Sequence, residues 1–79
     1  MYSKVNELME KFIAGVDSSL EAANAIEASL DDAFPKDDFI QQTVEMLAMY
    51  RPEGGDFLFD VAAIRKRLNE TIEYMNDNR

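Results

Sequence analysis

The sequence predicts an all-α fold, a small antiparallel four-helix bundle, and three observations carry that expectation. Apolar residues recur at helical spacing in four separate stretches. Capping or stopping residues bound those stretches. The connections between them are short, which favours antiparallel neighbours. At 79 residues the chain is one domain, 1–79, with no room for a second. A domain of this size buries only about 60% of the surface its unfolded chain exposes, so its stability is modest.

The first helix is expected over 3–14. Val5, Leu8, Met9, Phe12 and Ile13 form its apolar stripe, Glu7 and Lys11 make an i, i+4 pair, and Ser3 and Gly15 cap its two ends. Ser18 and Glu21 then read as a capping box opening an alanine-rich second helix. Leu20, Ile26, Leu30 and either Ala33 or Phe34 face inward, and Pro35 ends the helix by disfavouring helical geometry just before it.

Asp37 is the expected cap of the third helix, with Asp38 at the positive end of its dipole. Its inner stripe reads Phe39, Ile40, Val44, Leu47 and Ala48, and Arg51-Pro52 stops it. Glu53-Gly-Gly-Asp56 is a loop, because two glycines permit a tight change of direction. Phe57-Leu58-Phe59 reads as a short extended stretch or as the lead-in to the next helix. Asp60 caps the fourth helix, whose stripe is Val61, Ile64, Leu68, Ile72 and Met75, and residues 76–79 are expected to fray.

Composition excludes several kinds of chemistry. The chain has neither cysteine nor histidine, so disulfides, thiol nucleophiles, imidazole acid–base groups and zinc sites of the usual kind are ruled out. Ser3, Ser18, Ser19 and Ser29 have no histidine to take their protons. The doublets Asp31-Asp32 and Asp37-Asp38 point about 100° apart when helical, so neither sets two carboxylates face to face. No calcium-loop pattern or phosphate-cradling glycine loop is present. The expectation is a protein that is not an enzyme, has no cofactor and binds no metal. No apolar run approaches the ~18 residues of a membrane span and the opening residues do not read as a signal peptide, so the expected location is the cytoplasm.

Charge is the most informative feature. Sixteen acids face eight bases, a net charge of −8. Eleven of the acids lie between Asp17 and Asp60, where Lys36 and Arg51 are the only bases. Such a chain repels nucleic acid and anionic lipid, so neither direct nucleic-acid nor membrane binding is expected. The fit is to a basic protein partner, or to a site that otherwise takes nucleic acid. Glu27, Asp31, Asp32, Asp37, Asp38 and Glu45 gather around the turn at Pro35, and Glu53 and Asp56 follow in the loop. Concentrated like charge costs stability, so this acidic edge reads as a partner-binding surface, although a merely solvated face would also keep the protein soluble. Tyr50, Phe57 and Phe59 are candidate aromatic anchors beside it, with core packing as the competing reading. The basic run Arg65-Lys66-Arg67 is expected to support Glu70 through the Lys66–Glu70 spacing.

Four segments carry a family resemblance: Leu8-Met-Glu-Lys-Phe-Ile-Ala-Gly15, Leu30-Asp-Asp-Ala-Phe34, Val44-Glu-Met-Leu-Ala-Met-Tyr50 with the following Arg-Pro, and Asp60-Val-Ala-Ala-Ile-Arg-Lys-Arg-Leu68. In order and character they resemble the small acidic immunity proteins of nuclease bacteriocins, the group like the colicin D immunity protein. The resemblance spans nearly the whole chain but rests on hydrophobic spacing and acidity, and the Glu53–Asp56 loop departs from it. It implies a helical protein that plugs the basic cleft of a tRNA-cutting toxin by imitating the substrate's phosphates. The alternatives are another acidic inhibitor of a nucleic-acid enzyme, such as an anti-CRISPR protein, and a helical interaction or regulatory module with no inhibitory role.

Overall fold

A computed structural model describes residues 3–56 and 58–77, the Ser3 side chain excepted. Helix α1, Ser3–Ile13, buries Val5, Met9 and Phe12 on one face and pairs Lys11 with Glu7 at 3.3 Å on the other. It ends on Gly15 at φ 80°, with Val16 N donating to Lys11 O and Gly15 N to Phe12 O. That is a Schellman stop, which needs the left-handed conformation only glycine adopts at no cost. The expected Ser3 cap falls on a side chain outside the described residues.

Helix α2, Leu20–Ala33, corrects the expected capping box. Its cap is Ser19, whose Oγ accepts from Ala22 N at 3.0 Å. Ser18 is committed elsewhere: its Oγ donates to Phe12 O and its carbonyl accepts from the Tyr50 hydroxyl. Asp17 Oδ1 accepts from both the backbone and the hydroxyl of Ser19, which orients the cap and holds the Asp17 carboxyl below its usual value. The helix buries Ala22, Ala23, Ile26 and Leu30 and stops at Phe34, one residue before Pro35.

Helix α3, Asp38–Ala48, begins at the expected cap, with Asp37 Oδ1 accepting from Ile40 N at 3.0 Å. Its end comes earlier than Arg51-Pro52, because Tyr50 leaves the helix to form an isolated parallel bridge with Phe59. The extended alternative for this stretch therefore holds at Phe59, while Phe57 lies outside the described residues. Turns at 51–54 and 55–58 use Gly54 and Gly55 at positive φ. Asp60 Oδ1 accepts from Ala63 N, capping helix α4, Val61–Asp77. The helix reaches Asp77, so Asn76 and Asp77 of the tail expected to fray are helical in this structure, and residues 78–79 lie outside the described residues.

The result is a small all-α four-helix bundle. Each helix packs on its chain neighbours, and α4 closes the ring against α1. Among the described residues no strand forms beyond the single bridge, and no helix is long and apolar enough to cross a membrane.

The core differs from expectation at one seam. Between α3 and α4 the buried inner positions are Thr43 and Thr71, while Val44 and Ile72 are half-buried at its edge and Ala48 is exposed. Arg67 Nε donates to Thr43 Oγ1 at 2.8 Å, the two threonine hydroxyls lie 2.9 Å apart, and Thr71 Oγ1 donates to Arg67 O at 2.8 Å. The one proton of the Thr43 hydroxyl has two acceptors in reach, Thr71 Oγ1 and Phe39 O at 3.3 Å, so both buried hydroxyls are satisfied. Arg67 also donates to Phe39 O and lies 3.9 Å over the Phe39 ring, which stacks on Tyr74. Arg67 is thus a strut between α3 and α4. The expected Lys66–Glu70 pair does not form: Lys11–Glu7 is the one ion pair among the described residues.

Candidate functional site

The acidic residues expected around the Pro35 turn lie at the α2–α3 corner and along its two helices, and Glu53 and Asp56 lie in the loop after α3. Asp31 and Asp32 are exposed on the last turn of α2, and Asp37 and Asp38 open α3. Gln41 ties these elements together, its Nε2 donating to Asp31 Oδ1 at 3.0 Å and to Phe34 O at 3.1 Å. The connection 34–37 is closed by Asp37 N donating to Phe34 O. Four carboxylates therefore share the α2–α3 corner.

Two of the four are oriented. Asp31 is held by Gln41. Asp37 uses one oxygen as the α3 cap and accepts from the Tyr74 hydroxyl with the other, at 2.7 Å. The Tyr74 hydrogen bond is the main cause that holds the Asp37 carboxyl below its usual value, and the same bond raises the Tyr74 hydroxyl. Asp32 and Asp38 are exposed. Glu27 is half-buried one turn before Asp31, and Glu45 is exposed further along α3.

Glu53 and Asp56 are exposed in the α3–α4 loop, at the other end of α3. Helix α3, eleven residues at 1.5 Å each or about 16 Å long, stands between that corner and the start of this loop. Glu53 and Asp56 therefore stand apart from the corner where Asp31, Asp32, Asp37 and Asp38 gather as expected. The expectation for Tyr50 is corrected. It is 0% exposed, packs edge-on against Phe12 with ring centroids 5.3 Å apart, and donates its hydroxyl to Ser18 O at 2.6 Å. A side chain so enclosed serves the core and has no face left for a partner. Phe59 is half-buried against the core.

The residues that sequence reasoning missed at the corner are Gln41 and Tyr74. Neither belongs to an apolar stripe or a charge cluster, and their roles arise only when α2 and α4 are placed beside α3. Thr43 and Thr71 did leave a signal: Ile40, Thr43 and Leu47, and likewise Leu68, Thr71 and Met75, keep the i, i+3, i+7 spacing of an inner stripe. Among the described residues no group of three or more acidic side chains is arranged to hold a metal ion. Comparison with protein-family models, with curated proteins and with solved structures returns no match.

Proposed function

We propose that this chain is an acidic inhibitory binding protein of the immunity type. It occupies the basic active-site cleft of a nucleic-acid-acting toxin or enzyme, with its carboxylates standing where substrate phosphates would sit. The supporting observation is the charge at the α2–α3 corner, where four carboxylates face the single cation Lys36 of the turn. Among the described residues Asp31, Asp32, Asp37 and Asp38 make no ion pair, and the two oriented carboxylates are held by neutral donors, Gln41 and Tyr74. A neutral donor fixes a carboxylate in space and leaves its charge intact. A basic cleft relieves the resulting self-repulsion and steers the encounter.

Competition is the test. A partner captured by this protein must release it when nucleic-acid substrate is added, and the affinity must fall steeply as salt rises. Replacing Asp32 and Asp38 by lysine abolishes that binding, whereas neutralising the exposed Lys66 on α4 leaves it unchanged. A partner that holds substrate and this protein together, indifferent to salt, refutes the reading.

A second reading, a helical protein-interaction module with no inhibitory role, draws support from the solvent-exposed apolar side chains of Val16, Met49 and Leu58.

A further inference from the structure

The end of the bundle away from the α2–α3 corner carries a different kind of surface. Val16 is 73% exposed, Met49 41% and Leu58 39%, and these are the exposed large apolar side chains among the described residues. None of them lies at the α2–α3 corner. Single exposed apolar residues are ordinary on any protein, but these three sit on two loops that the structure binds to each other. Phe59 N donates to Met49 O at 3.0 Å, which places Leu58 beside the end of α3. The Tyr50 hydroxyl reaches Ser18 O, two residues from Val16, so the α1–α2 loop is tied to the α3–α4 loop. Leu58 Cδ1 lies 3.2 Å from the point a Gly55 Cβ would occupy, so the loop supports this side chain from one side and leaves it open on the other.

Charge frames the three. Asp17, Glu53, Asp56 and Asp60 are exposed on the same two loops. Three cations stand near them. Arg51 is half-buried and donates to Tyr50 O at 2.7 Å. Arg65 is half-buried with Nη2 3.1 Å from the Cβ position of Gly15. Lys11 is paired with Glu7. The four exposed carboxylates outnumber the two half-buried arginines, so the balance of charge at this end is negative.

We infer that this loop end is a docking surface for a basic protein segment that carries apolar side chains, with Val16, Met49 and Leu58 as its contacts and the four carboxylates as its rim. Apolar contacts ringed by polar groups are the usual anatomy of a protein interface. Complementarity of charge selects the occupant. A second copy of this chain would set one acidic rim against another, and an anionic bilayer is repelled in the same way. The inference goes beyond the proposed function, which stands on the α2–α3 corner, and it holds for any partner that presents such a segment.

The test uses a short peptide alternating lysine with leucine, and an all-lysine peptide of equal charge, each titrated into the 15N-labelled protein. The expected result is movement of the Val16, Met49 and Leu58 amides with the mixed peptide. The double substitution Met49→Ser, Leu58→Ser weakens that binding by at least about tenfold. The all-lysine peptide binds more weakly, and the double substitution leaves its affinity unchanged. Met49→Ser alone, outside every helix, keeps the test open if the double variant loses helical circular dichroism. Shifts centred on Asp31–Asp38, or undiminished binding by either serine variant, overturn the inference. So does self-association of the unaltered protein that Met49→Ser abolishes, since the occupant is then a second copy. None of these outcomes depends on whether the α2–α3 corner meets a nuclease.

Discussion

The Tyr74 hydroxyl donates to Asp37 Oδ2 at 2.7 Å while Asp37 Oδ1 caps α3, so a single carboxylate both starts one helix and fastens the last turns of another to it. Asp37 is consequently a structural residue set among carboxylates that face solvent. Its neighbours Asp32 and Asp38 are the ones whose charge can be changed without dismantling the corner.

The clasp predicts a particular acid dependence. The Asp37 carboxyl is held below its ordinary value in the fold, first by Tyr74 and then by the backbone donors of α3. The stability it contributes is therefore present above the unfolded value of about 3.9 and is lost as pH falls through the lower folded value. Urea melts between about pH 6 and pH 2 should show this loss in the parent and a shallower one in Asp37→Asn, which still caps but does not titrate. Asp37→Ala should cost about 1 kcal/mol at neutral pH through the lost cap alone. Equal acid dependence in the parent and in Asp37→Asn would remove Asp37 as the cause.

Tyr50 predicts the opposite dependence at high pH. Burial is the main cause that raises its hydroxyl above the ordinary tyrosine value. The stability linked to the neutral hydroxyl is complete below about pH 10 and is lost as pH rises through the folded value. Tyr50→Phe should destabilise the protein by about 1–2 kcal/mol, since the Ser18 carbonyl loses its donor, and should remove that alkaline step. An unchanged alkaline midpoint in this variant would contradict the assignment.

The α3–α4 seam predicts that the basic run of α4 is not uniform. Arg67→Ala removes the donors to Thr43 and Phe39 and the ring contact, and should destabilise the fold by about 1–3 kcal/mol. Lys66→Ala, at an exposed position, should change stability by less than about 0.5 kcal/mol. For comparison, Leu47→Ala or Leu68→Ala opens the core and should cost about 2–5 kcal/mol, enough to unfold much of so small a domain. Thermal or urea melts of the four variants decide the order.

Excess calcium or zinc should leave the melting temperature where it is. An ion that binds only the native state raises it, so a clear upward shift with calcium would turn the Glu53–Asp56 loop from a turn into a site.

What the sequence determined by itself is local. The four amphipathic stretches, the glycine stop at Gly15, the aspartate caps at Asp37 and Asp60 and the break before Pro35 all depend on spacings of a few residues, and each was legible. So was most of the core, from Phe12 through Ile26, Leu30, Ile40 and Leu47 to Ile64 and Leu68. Tertiary structure decided the rest, wherever a side chain had two uses open to it and the choice lay with a distant partner. Ser18 read as the cap of α2, but its hydroxyl is taken by Phe12 O and its carbonyl by the Tyr50 hydroxyl, thirty-two residues on, and Ser19 caps instead. Tyr50 itself passed for a surface anchor until Phe12 and Ser18 enclosed it. Arg67 read as one member of a basic run supporting Glu70, and α3 instead supplied it with Thr43, Phe39 O and a ring face. The acids around Pro35 were legible as one corner, and only the length of α3, about 16 Å, sets Glu53 and Asp56 beyond its other end. Spacing along the chain dictates which face of a helix a residue occupies, and only packing decides what that face meets.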